Sequence, residues 1–163
     1  MDNRYAAEAF NRFCNVIDDM IEIFDDLKAF EDKKLNAVIG NDVLRLEHLM
    51  NEEQAYLMKM RGLDQKREKL QEEMGLKGKN FRQIIEAAPL ECREEMIGRK
   101  QALDGKNQAL VAAVEKTKRS IEGHLQRLDQ MMQQVQEESR GYDKSGKKEG
   151  GSSAPTRFKP TKA

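Results

Sequence analysis

The sequence predicts an all-α fold, an elongated, coiled-coil-like antiparallel three-helix bundle with a disordered C-terminal tail. Three observations carry that expectation. Charged residues make up 36% of the 163-residue chain and aromatics 6%, with no Trp, a composition of long solvated helices and not of a thick core. Only Pro89 precedes the tail, and no run of alternating Val, Ile or Thr marks a strand. Apolar residues recur instead at heptad spacing through most of the chain.

The first helix is expected over about residues 3–39. Its stripe, Ala6, Phe10, Phe13, Ile17, Met20, Phe24 and Leu27, fills seven consecutive seam positions, breaks at Glu31 and Lys34, and resumes at Val38. In "IGND", Gly40 is suited to the left-handed C-terminal position, and Asn41 or Asp42 to capping the next helix. So short a link makes the two helices antiparallel neighbours.

The second helix is expected over 43–74, with the seam Leu46, Leu49, Glu53, Tyr56, Met60, Leu63, Arg67, Leu70 and Met74. Gly75 and Gly78 end it. A short helix over 80–88 follows, with Phe81, Ile84, Ile85 and Ala88 on its apolar edge. Pro89 suits a first helical position, and a third long helix should reach about residue 138. The later seam of that helix reads Leu103, Asn107, Leu110, Val114, Thr117, Ile121, His124, Leu128, Met131 and Val135. Phe, Met, Tyr, Asn, Thr and His among the seam residues fit an intramolecular bundle better than a dimeric zipper. The helical domain is thus 1–140 and the flexible basic tail 141–163. Whether the 77–98 segment packs on its own bundle or swaps to a neighbour is open.

Net charge is zero, but it is unevenly spread. Residues 141–163 hold six Lys/Arg and two Asp/Glu, leaving an acidic body. An acidic body is unlike a nucleic-acid-binding surface. Cys14 and Cys92 are far apart, with no CxxC and no His at ligand spacing, which points to a reducing compartment and to neither a disulfide framework nor a zinc site. The polar start "MDNRYAAEAF" does not read as a signal peptide, and no apolar run approaches the roughly 20 residues of a membrane span. The expected location is the cytoplasm, with no membrane insertion.

No constellation for catalysis emerges. "LKGKN" and "SGKKEG" lack the spacing and the preceding strand of a phosphate loop. The carboxylate pairs Asp18–Asp19, Asp25–Asp26 and Glu52–Glu53 lie along helices and do not converge on a cleft. No enzyme activity, metal or cofactor is expected.

Three features suggest binding. Asn107, a polar residue on a seam, either fixes helix register or anchors an added partner helix. Nine methionines are present, and Met50, Met58 and Met132 widen the seams into adaptable surface. Where the last helix outruns its partners, "LQRLDQMMQQVQEES" leaves Leu125, Leu128, Met131, Met132 and Val135, with Ile121 before them, as an uncovered stripe for another protein's helix. The tail beyond it carries Tyr142 and Phe158 as anchors on a flexible arm.

The chain resembles the FlgN family of flagellar type III export chaperones. The likeness rests on "DDLKAFEDKKLNAVIGNDVLRLEHLMNEEQAYLMKMRGLDQKREKLQEEMGL", on "LDGKNQALVAAV" in the last helix, and on "GYDKSG" after it. It covers about residues 10–146. These chaperones commonly carry a pair of asparagines in the last helix; Asn107 alone stands there in this chain. The resemblance implies a cytosolic, non-enzymatic chaperone. Its partners would be the C-terminal helices of hook–filament junction (hook-associated) proteins and a membrane export-gate component. It implies cargo binding through the C-terminal part and gate docking through Tyr142. A monomer or weak dimer would suit that role, whereas a helical tether or regulatory adaptor, the alternative, would suit a persistent dimer.

Overall fold

The computed structural model describes residues 3–143. The described chain is all-helical: α1 Asn3–Ile39, α2 Val43–Glu73, the short α3 Phe81–Ala87, and α4 Leu90–Asp143. Within the described residues α4 runs past residue 138, through Gly141 to Asp143, with no proline in "ESRGYD" to stop it. The chain falls into two units, residues 1–123 and 124–163.

Each turn follows from local chemistry. At the end of α1, the Asp42 N–H donates to the Ala37 carbonyl at 2.9 Å and the Asn41 N–H to Val38 at 3.1 Å. This is the Schellman pattern, and it needs a left-handed residue between. Asn41 supplies it at φ 52°, not Gly40 as expected; Asn tolerates that region better than other residues with a Cβ. Asp42 then caps α2 by accepting from the Arg45 N–H at 3.1 Å.

The same device ends α2, with Gly75 at φ 72° and the Leu76 N–H donating to Gln71 O at 2.7 Å. The Gln71 side chain is buried, and its Nε2 donates to the carbonyls of Leu76 (3.3 Å) and Lys79 (3.0 Å). Arg67 Nη1 donates to Gln71 Oε1. A single amide thereby ties two loop carbonyls to α2; Leu76 O also accepts from the Lys79 N–H at 3.1 Å, whereas Lys79 O relies on Gln71. Asn80 and Gln83 form a reciprocal capping box at the start of α3. Arg93 on α4 donates to the Ala88 and Glu86 carbonyls at its end (2.9 and 2.7 Å).

Ion pairs give the directions of the long helices in the first unit. Arg12–Glu73 at 3.4 Å and Lys34–Glu53 at 2.8 Å run α1 and α2 antiparallel. Arg99–Asp18 at 2.9 Å and Lys106–Asp25 at 2.8 Å advance together along both helices, so α4 runs parallel to α1 there.

The core is uneven. The larger cluster joins Phe10, Phe13, Val16, Ile17 and Met20 of α1 to Leu70, Ile84, Ile85, Ala88 and Met96. Phe81 meets Phe13 edge-to-face at 5.5 Å between centroids. Phe13, Ile17, Ile23, Ile84 and Met96 are sealed from solvent, each contributing about 1.5–3 kcal/mol of burial. The 77–98 segment therefore packs on its own chain. Nearer the α1–α2 turn a smaller cluster holds Phe30, Ala37 and Leu49, with Leu46 and Tyr56 against it.

The expected break in the α1 stripe takes a different form. Glu31 is 3% exposed, and the Lys34 Nζ sits 2.5 Å from Glu31 Oε1 and 2.8 Å from Glu53 Oε2. The seam carries on through an ion triad of buried Glu31 and half-buried Lys34 and Glu53, where charges must pair to offset desolvation.

Candidate binding surface

The residues α4 turns inward are not all the expected ones. Met96, Arg99, Leu103, Lys106, Leu110, Ala113, Thr117, Ser120 and His124 are buried or half-buried at alternating steps of three and four. Leu103, Leu110, Thr117 and His124 were expected; Lys106, Ala113 and Ser120 replace Asn107, Val114 and Ile121. Asn107 is exposed and is not a seam residue, because its neighbour Lys106 turns in to meet Asp25. Thr117 Oγ1 donates to its own-helix Ala113 O at 3.1 Å and lies 3.4 Å from Glu31 O of α1, holding the same phase.

The consequence is a set of apolar side chains in solvent. In the first unit these include Val111, Val114 and Ile121, the last at 36% exposure. In the second unit Leu125, Leu128, Met131, Met132 and Val135 are all exposed. Leu128, Met131 and Val135, expected along the seam, belong to this open surface with Leu125 and Met132. Sequence spacing finds these residues; it does not find Val111. The Tyr142 side chain, Phe158 and the remainder of the tail beyond Asp143 lie outside the described residues.

The titratable groups are occupied with structure. Burial pushes the Cys14 thiol up and also raises Cys92, the reverse of what an attacking thiolate needs. The Glu53 carboxyl is raised, first by burial, with Glu31 adding to the rise and Lys34 opposing it. Burial pulls Lys34 down, but its hydrogen bonds to Glu31 and Glu53 outweigh that and hold the ammonium above its ordinary value. Among the described residues no group of His, Cys, Asp and Glu could hold a metal ion, and no helix is long and apolar enough to cross a membrane. What the surface offers is apolar area beside fixed charges, suited to taking up another helix.

In comparison with known proteins, the model of the FlgN protein family matches residues 1–150. No curated protein and no solved structure matches the chain. With the match spanning most of its length, the chain belongs to the FlgN family.

Proposed function

We propose that this protein is a cytosolic flagellar export chaperone that binds the C-terminal helical segments of hook-associated junction proteins. It keeps them from assembling early and delivers them to the type III export gate. Membership of the FlgN family suggests the chaperone role. The observation that carries the cargo reading is the open apolar surface of Leu125, Leu128, Met131, Met132 and Val135. Cargo helices that must later assemble have apolar stripes of their own, and exposed stripes invite premature association.

In this reading the framework is an antiparallel three-helix bundle, and Ile121 and Asn107 are further cargo contacts. Tyr142 docks at the gate and Phe158 is an anchor on the basic tail. Release needs no catalysis, only moderate affinity and competition at the gate. The test is a calorimetric titration of the full chain, and of residues 1–140, with the C-terminal helical fragment of the junction proteins from the same genome. Saturable one-to-one binding supports the proposal, and the loss on truncation measures the tail's share. Absence of binding by the full chain refutes the proposal.

A further inference from the structure

The first unit carries a second open surface, along α2 and the facing part of α4. Gln71, Asp64, Leu57, Met50 and Val43 step by sevens along one edge of α2. At Gln71 the edge is buried under the loop carbonyls of Leu76 and Lys79. The edge there looks toward α4, because Arg67, Gln71, Phe81 and Leu103 line one cavity of about 240 Å³. Farther along, the loop no longer reaches, and Leu57, Met50 and Val43 stand in solvent at 39%, 48% and 72% exposure.

On α4 the corresponding edge bears Val114 and Ile121. They border a groove of about 380 Å³ whose other lining includes Glu31, Lys34, Thr117 and Lys118. Lys34 crosses from this groove to Glu53, and Met50 and Leu57, three residues before and four after Glu53, share its face of α2. The ion triad is thus the floor between two apolar walls. From Val43 to Leu57 the α2 wall is about 21 Å long, room for about four helical turns.

The floor selects the occupant. Two carboxylates face one ammonium, and the rim residues Lys118 and Glu122 offset each other. We propose that this slot takes an amphipathic helix of a partner protein that carries a Lys or Arg within its apolar stripe. The stripe covers Leu57, Met50, Val114 and Ile121, while the basic head meets the surplus carboxylate. An acidic residue at the same place would be buried against like charge, which is costly. The slot shares Ile121 with the proposed cargo surface but otherwise uses different residues, and its test does not rest on the cargo reading.

The probes are two synthetic amphipathic helices of about 20 residues, about 30 Å long. They are identical apart from a Lys or a Glu at the centre of a Leu-seamed stripe, and each is titrated into the full chain. The expected result is at least about tenfold tighter binding of the Lys peptide, lost in Leu57→Asp/Val114→Asp and retained in Leu128→Asp/Met132→Asp. Both substituted pairs are exposed, so helicity and thermal midpoint should hold; Leu57→Asp/Met50→Asp replaces the first pair if it does not fold. Equal affinities, no binding of either peptide, or a preference that survives in the slot variant overturns the proposal. A chain that is dimeric in solution and becomes monomeric in the slot variant also overturns it, because a second copy then fills the slot.

Discussion

Replacing Leu128 and Met132 together by Asp separates a binding surface from a core. The two side chains are 57% and 64% exposed. Full burial of a Leu or Met contributes about 1.5–3 kcal/mol, so the fraction still open holds about 1–2 kcal/mol at each position. Together they offer a docking helix about 2–4 kcal/mol, and 2 kcal/mol alone is about 30-fold in affinity. Burying two carboxylates against an apolar cargo stripe would add to the loss. The isolated chain should barely respond, since exposed substitutions usually stay within about 0.5 kcal/mol. The assay is calorimetric titration with the cargo fragment, beside circular dichroism and thermal melts of the free variants. Loss of helicity, a lowered melting midpoint, or unchanged cargo affinity would each refute the assignment.

Other expectations are equally concrete. Met96→Ala should cost about 2–5 kcal/mol in urea unfolding, as for a fully buried large side chain, whereas Asn107→Ala should stay within about 0.5 kcal/mol; equal costs would return Asn107 to the seam. Gln71→Ala should destabilise by about 1–3 kcal/mol by orphaning the Lys79 carbonyl and leaving Leu76 O only the Lys79 N–H, and amide exchange should rise first in residues 75–80. Because the Glu53 carboxyl is raised on folding, its contribution is present below its unfolded value of 4.5 and fades as pH rises through the folded value. The wild-type urea midpoint should therefore fall relative to that of Glu53→Gln between about pH 4.5 and neutrality. Lys34 keeps its charge across that window, being raised from 10.5, so a flat difference would contradict the triad.

How much of this could be read in advance varied with what each helix faces. All nine seam positions expected on α2 are buried or half-buried, including the polar Glu53 and Arg67. A helix packed along one seam is governed by its period, which a sequence displays. In α4 the period was readable and part of the phase was not. Val114 and Ile121 are more apolar than Ala113 and Ser120, so hydrophobicity favoured the wrong positions. The choice is made by Asp25 opposite Lys106 and by the Glu31 backbone beside Thr117, partners some 80 residues away in the chain. The ion triad was hidden likewise, since Glu31 and Lys34 look like a break in a stripe until Glu53 stands opposite. The exposed Leu125–Val135 surface was easier, because its apolar stripe shows in the local spacing.

The division of the core into a large cluster and a small one sets where the protein can breathe. Around Phe13, Leu70, Ile84 and Met96 all four helices interlock, so opening there should approach global unfolding. Around Phe30, Ala37 and Leu49 the cluster draws only on α1 and α2, and local opening should cost far less. The α1–α2 hairpin tip can thus loosen and reclose while its base stays shut. Fraying at that one end would leave the larger cluster, and with it the fold, intact.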